Sequence, residues 1–281
     1  MANLTEKISM LALSAVIVAA GVTAIVNFTD TTHQSAAATP PSGLQTETAP
    51  SAENLVFSPP KKIPKGKLGK EILRGEQIFN QTFSTVPQFV GDKLNCSSCH
   101  LDGGMDESAL PLVGASTQFP EYSKRPKSFI TLSERVNQCF QRSEGGKALP
   151  LGNPDLIAVD TYITWLSSDL PMYEKIPWEK NGADLTPSST INLKDGEMIF
   201  QQVCSTCHGM QGQGGFGPPL WGPESFVKGA GMSKLKDMAS FVKLNMPVYE
   251  VHGVKPGGLT IQQATDVAAY VLKHPRNVFH T

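Results

Sequence analysis

The 281-residue chain has no charge excess of either sign: 24 lysines and arginines stand against 25 aspartates and glutamates, a net charge of −1. A nucleic-acid binder would carry a basic surplus or stripe, so no nucleic-acid partner is expected. Strand-like alternation is weak throughout, which removes the βαβ setting in which a CxxC pair serves as a redox disulfide. Cysteine is scarce, five in all, four of them in two CxxC pairs and one, Cys139, alone. No histidine lies between His100 and His208. Charge is also absent from Ile8 to Phe28, a stretch of 21 residues. A bilayer-spanning helix needs about 20, whereas the apolar core of a cleaved signal peptide is shorter, ~7–15. Residues 1–30 therefore read as a signal peptide or membrane anchor. Residues 8–28 could hold the protein at the inner membrane, and the small-residue run from Ser35 offers a cleavage site instead. Either reading exports the remainder to the periplasm. Residues 31–60, rich in Ala, Pro, Ser and Thr, bury too little apolar surface to order themselves and are expected to form a flexible linker.

What is present is a repeat. "CSSCH" (Cys96–His100) returns as "CSTCH" (Cys204–His208), "PLVG" from Pro111 returns as "PLWG" from Pro219, and Tyr162 returns as Tyr270, each pair 108 positions apart. Upstream, "GEQIF" at Gly75 matches "GEMIF" at Gly196. Each copy runs from a helix through CxxCH and a Gly/Pro-rich loop to a terminal helix. Ile72, Leu73, Ile78 and Phe79 form the apolar stripe of the first helix. Ile261, Ala264, Val267, Ala268 and Val271 form that of the last. The expected fold is all-α, two tandem cytochrome c-like domains at 61–180 and 181–281, divided near the polar, turn-rich stretch 177–189.

CxxCH is a covalent c-type haem motif. Two thiols, Cys96 with Cys99 and Cys204 with Cys207, can bond the two vinyl groups of one porphyrin, and the adjacent histidine reaches the iron. Zinc could use such cysteines, but each copy is a complete helical unit with its own histidine. Two covalently bound haem c groups are therefore expected, with His100 and His208 as proximal ligands. The loops at Pro111 and Pro219 are expected to pack on these histidines, where a backbone carbonyl could fix the ring. For the second iron, Met246 before Pro247 is the candidate distal ligand, with Met210, Met232 and Met238 as rivals. Copy one has no methionine at that count. It has the fifth cysteine, Cys139, which would exchange a thioether for a thiolate at that iron.

Cations crowd this cysteine: Lys124, Arg125, Lys127, Arg135 and Arg142. Arg135 and Ser143 lie four residues either side of Cys139 and share its helix face; a guanidinium grips oxyanions through two hydrogen bonds. "KRPKSFITLSERVNQCFQRSEGG", with "NCSSCHLDGG" and "LNMPVYE", resembles the dihaem thiosulfate dehydrogenases of the TsdA type over roughly residues 70–275. The resemblance implies interconversion of two thiosulfates and one tetrathionate, in either direction. The reacting haem would be held by His100 and Cys139, with Arg125, Arg135 and Ser143 around the substrate. A second haem, held by His208 and Met246, would exchange electrons with a small periplasmic redox protein such as another cytochrome c. Some relatives carry a lysine just before this methionine; here the residue is Asn245. Two other readings remain open. A dihaem electron carrier resembling cytochrome c4 would need a methionine in both copies. Another sulfur enzyme with cysteine-ligated haem would explain Cys139 equally well.

Overall fold

The computed structural model describes residues 55–278, and every statement below concerns them. The hydrophobic segment 8–28 and most of the linker 31–60 lie outside the described residues. The described chain is mostly helical, as the patterning predicts. The first copy contains α1 (Lys67–Asn80), α2 (Thr82–Thr85), a 3-10 turn at Cys96–Ser98 and α3 (Leu101–Gly104), a single distorted turn. These are followed by α4 (Leu132–Arg142) and α5 (Pro154–Leu166). The second contains α6 (Leu193–Ile199), which runs through a π-helical segment at Phe200–Cys204 into α7 (Ser205–His208), then α8 (Leu235–Asn245) and α9 (Ile261–Leu272).

Local chemistry explains the helix starts. Thr131 and Glu134 close a capping box on α4, and Thr260 and Gln263 do the same on α9. Asn153 caps α5, whose first residue is Pro154, and Asn192 caps α6. Each of these side chains satisfies a backbone N–H that the first helical turn leaves unpaired.

The repeat is visible in how the helices cross. In the first copy α1 packs on α5, and in the second α6 packs on α9. At each crossing a glycine lies under the partner helix. A Cβ on Gly75 would stand 2.0 Å from the Ala158 carbonyl oxygen and 2.7 Å from Tyr162 Cβ. A Cβ on Gly196 would stand 2.2 Å from the Asp266 oxygen and 3.0 Å from Tyr270 Cβ. The obstacle is backbone in both cases, so it cannot swing away. Gly75→Ala and Gly196→Ala are each expected to destabilise the fold by about 3 kcal/mol, the upper end of the overpacking range, measurable by denaturant unfolding of the haem-loaded protein.

The first core gathers Ile72, Ile78, Phe79, Val136, Phe140 and Tyr162. The second gathers Phe200, Phe241, Val267, Ala268 and Tyr270, and takes in Leu94 and Ala109 from the first copy's loops. Two residues of the expected stripes are solvent-facing. Leu73 is 51% exposed because it sits about 100° round α1 from its neighbour Ile72, and Ile261 is 46% exposed at the open first position of α9.

Two further features depart from the sequence reading. The end of the expected linker is packed: Leu55 and Phe57 lie against Val113, Ile176 and Trp178, with Phe57 edge-on to the Trp178 ring at 5.3 Å. An antiparallel hairpin also interrupts the helices, with β1 (Glu121–Ser123) pairing β2 (Ser128–Ile130) in the register Glu121 to Ile130. The two copies are joined across the loop 222–233. The Lys93 ammonium meets the Glu224 carboxylate at 2.5 Å, Arg142 donates to the Gly229 carbonyl at 3.0 Å, and Val227 N–H donates to the Ser143 carbonyl.

Candidate functional site

The two histidines are oriented by the same device. His100 Nδ1–H donates to the Leu110 carbonyl at 2.5 Å, and His208 Nδ1–H donates to the Pro218 carbonyl at 2.8 Å. The carbonyls lie one residue before the expected prolines, Pro111 and Pro219. Each bond leaves Nε2 unprotonated and free to meet a metal. Burial lowers the pKa of both rings, against the opposing pull of the carbonyl bond, so both imidazoles are neutral at pH 7, the form that ligates.

The copies reach this geometry by different backbones. Pro218 has its φ fixed by its ring, whereas Leu110 is held in the left-handed region at φ 51. That conformation costs a leucine on the order of 1–3 kcal/mol. It is pinned from both sides, with its N–H donating to the Asn181 carbonyl and its carbonyl accepting from His100.

Around the first motif opens a cavity of about 470 Å³. Its walls carry Cys96, Cys99, His100, Arg135, Cys139 and Ser143, with apolar residues including Phe79, Leu112, Val136 and Phe140. Phe226, Ala230, Gly231 and Met232 complete it from the second copy. Cys139 lies inside α4, one turn beyond Arg135, and Arg135 Nη1–H donates to its sulfur at 3.1 Å. The neighbouring Cys139 sulfur holds the Arg135 guanidinium above its usual pKa. Ser143 closes α4 one turn later. The expected trio of Arg135, Cys139 and Ser143 is therefore on one wall, as the i, i+4 spacing requires.

Arg125 is placed differently. It stands exposed on the hairpin turn with Lys124 and Lys127 and does not line the cavity; Phe119 and Glu121, at the hairpin base, do. Arg142 turns away to Gly229. Sequence reasoning missed Glu121, Glu144 and Met232 as wall residues. Glu144 is buried and its carboxyl pKa is pushed well up by burial. Its place five residues after Cys139 was the available clue; for Met232 there was none.

In the second copy, a Cβ on Gly217 would stand 2.7 Å from His208 Cε1, so only glycine lets the chain ride over that ring. Met246 follows α8 directly, is half-buried, and packs on the same core as Cys204 and Trp221. Its rivals are elsewhere: Met210 is 61% exposed, Met238 is buried in the core, and Met232 lines the first cavity. Lys243 donates to the Gly257 carbonyl at 2.5 Å. Counting along the chain equates Cys139 with Met246, yet one lies within a helix and the other just past the end of one.

These residues fit a c-type haem at each motif. Burial pushes the thiols of Cys99 and Cys204 up to about 12 and raises that of Cys96 as well. Among the described residues no three His, Cys, Asp or Glu side chains gather as a metal cluster. Cys96 and Cys99, or Cys204 and Cys207, would carry thioether bonds to a porphyrin, with His100 or His208 as a ligand to its iron.

Fold and motifs together define a mostly helical protein of two cytochrome c domains. Residues 75–172 match the SoxA/TsdA cytochrome c domain, and residues 193–275 match the cytochrome c domain. The chain is 38% identical over 232 residues to the thiosulfate dehydrogenase of Allochromatium vinosum, covering 77% of this chain and 82% of that one. It is 35% identical over 240 residues to that of Psychrobacter arcticus, covering 83% and 72%. The solved thiosulfate dehydrogenase (TsdBA) of Marichromatium purpuratum superposes with a TM-score of 0.71 at 31% identity. That match covers 78% of this chain and 49% of the solved one, so this chain spans about half its length. The chain belongs to the thiosulfate dehydrogenase family.

Proposed function

We propose that the protein interconverts two thiosulfates and one tetrathionate at the first haem site, exchanging two electrons with an external redox protein. The observation that carries this reading is the 3.1 Å bond from Arg135 to the Cys139 sulfur, in a cavity shared with Cys96, Cys99 and His100. His100 and Cys139 would hold the first iron, and His208 and Met246 the second. When bound, the haems supply the acceptor for two electrons and a route outward to a partner such as a small periplasmic cytochrome c.

The substrates are dianions that repel one another. Arg135, on the cavity wall and bonded to Cys139, offsets that repulsion where the sulfurs must meet. Ser143 lies one turn beyond Cys139 on the same wall and offers a hydroxyl to sulfonate oxygens. Arg125, four residues beyond Glu121 of the cavity wall, gathers anions at the hairpin. Cys139 acts as nucleophile. Its thiolate bonds to the outer sulfur of one thiosulfate, and two electrons leave. The outer sulfur of a second thiosulfate then displaces the thiolate, and tetrathionate departs. No proton is consumed or released, and the steps run backwards for tetrathionate reduction. Periplasmic placement follows from the exported character expected of the N-terminal segment. Among the described residues no helix is long and apolar enough to cross a membrane.

The test is an anaerobic assay of thiosulfate with an artificial acceptor, and of tetrathionate with a reduced donor. Turnover is expected in at least one direction. Inactivity in both would return the protein to the class of dihaem electron carriers.

A further inference from the structure

Asn245 turns its side chain neither to solvent nor into its own helix alone. It closes α8 one residue before Met246 and is only 6% exposed. Its Nδ2 donates to the Ser108 carbonyl and to the Phe241 carbonyl, both at 3.1 Å. Its Oδ1 lies 2.8 Å from the Ser108 hydroxyl. Ser108 belongs to the first copy, 137 positions away. Asp106 Oδ1 pins Ser108 from the other side, accepting from its N–H at 2.8 Å and standing 2.7 Å from its hydroxyl. One hydroxyl proton therefore faces two acceptors, and the amide decides how tightly Ser108 is held.

Two residues further on is Leu110, whose carbonyl accepts the Nδ1 proton of His100 at 2.5 Å. Ala109 between them is fully buried in the same core as Phe241. Leu110 itself is held in the left-handed region, so it has little freedom to absorb a shift of Ser108. A single amide thus joins the residue before the second site's methionine to the loop that orients the first site's histidine. The links from Lys93 to Glu224, Arg142 to Gly229 and Val227 to Ser143 attach elsewhere; the Asn181 carbonyl, which accepts the Leu110 N–H, holds the same loop but does not reach Met246. A carbonyl partner sets the orientation and basicity of a ligating imidazole, and buried, fully bonded networks hold such partners rigidly.

We infer that Asn245 is a positioning residue that couples the axial ligation of the two haem sites, through Ser108 and the Leu110 carbonyl to His100. The inference rests on the two-haem reading above, and its test separates the two. The full-length protein, Asn245→Ala, Ser108→Ala and the double variant are each checked for two haems per chain by haemochrome absorbance. Fewer than two haems in the unaltered protein would fail the haem reading itself. With two present, spectroelectrochemistry and electron paramagnetic resonance follow each haem separately.

Asn245→Ala is expected to change the equilibrium constant for reducing the first haem by about two- to tenfold, the scale of one hydrogen bond. Ser108→Ala, in the other half of the chain, is expected to move the signals of the second haem. The double variant should fall short of the sum of the singles. If each variant moved only the haem of its own half, or neither haem, the coupling would be overturned. Should Asn245→Ala fail to fold, the effect of Ser108→Ala on the second haem decides alone.

Discussion

Cys139→Met is expected to keep both covalently attached haems and to lose turnover in both directions, by on the order of 10⁴-fold or more, the scale for removal of an obligatory nucleophile. Methionine is the informative replacement because it keeps a soft sulfur near the iron while removing the group that can bond to another sulfur. It also gives the first site the ligand type expected at the second. A thioether in place of a thiolate raises the potential, so the first haem should become easier to reduce.

Met232 provides the control, since it is a second sulfur on the same wall. If Met232 served the first iron, Cys139→Met would leave the absorption spectrum and potential untouched, and Met232→Leu would alter both. Retained activity in Cys139→Met would remove the nucleophile role and leave the cysteine as a wall residue.

Much of the scaffold was legible because it repeats. The 108-position offset aligned the two CxxCH motifs, their following loops and the tyrosines of the last helices. In the fold those tyrosines, Tyr162 and Tyr270, each lie against the glycine that the upstream match also paired. The carbonyl that orients each histidine falls within one residue of the expected loop proline. The Arg135–Cys139 pair was legible because four residues on a helix bring two side chains to one face whatever else the chain does.

The rest depends on contacts that no local pattern encodes. Strands of three residues, as in the hairpin, are too short to produce an alternating signature, and the turn between them looked like part of a basic cluster. Arg125 consequently read as a neighbour of Arg135, whereas the hairpin carries it outward. Counting from the first cysteine paired Cys139 with Met246, but the two helices have the same length of 11 residues and the loop before α4 is the longer, so the same count falls inside α4 and just past α8. The walls given by Phe226 and Met232, and the bridge from Asn245 to Ser108, arise where one half of the chain docks on the other. Their partners are too far apart in sequence for periodicity or spacing to reveal.

The separation of Arg125 from Arg135 makes their replacements unequal in a way salt can expose. Arg135→Leu is expected to cost about 10²–10³ in kcat/KM, the loss that follows removal of one fixed donor from developing negative charge. Arg135→Lys restores the charge but not the planar two-pronged donor, so it should recover only part of that loss. Because Arg135 acts at bonding distance from the reacting sulfur, its deficit should persist at 0.5 M salt.

Arg125→Leu works through the field at an exposed turn. It should lower kcat/KM by less than about tenfold at low ionic strength, leave kcat intact, and become indistinguishable from the unaltered protein as the Debye length shrinks below ~5 Å. Steady-state kinetics across a salt series separates the two cases. A salt-insensitive loss in kcat for Arg125→Leu equal to that of Arg135→Leu would place both guanidinium groups on the substrate during turnover, and would require the hairpin turn to fold over the cavity when the anions bind.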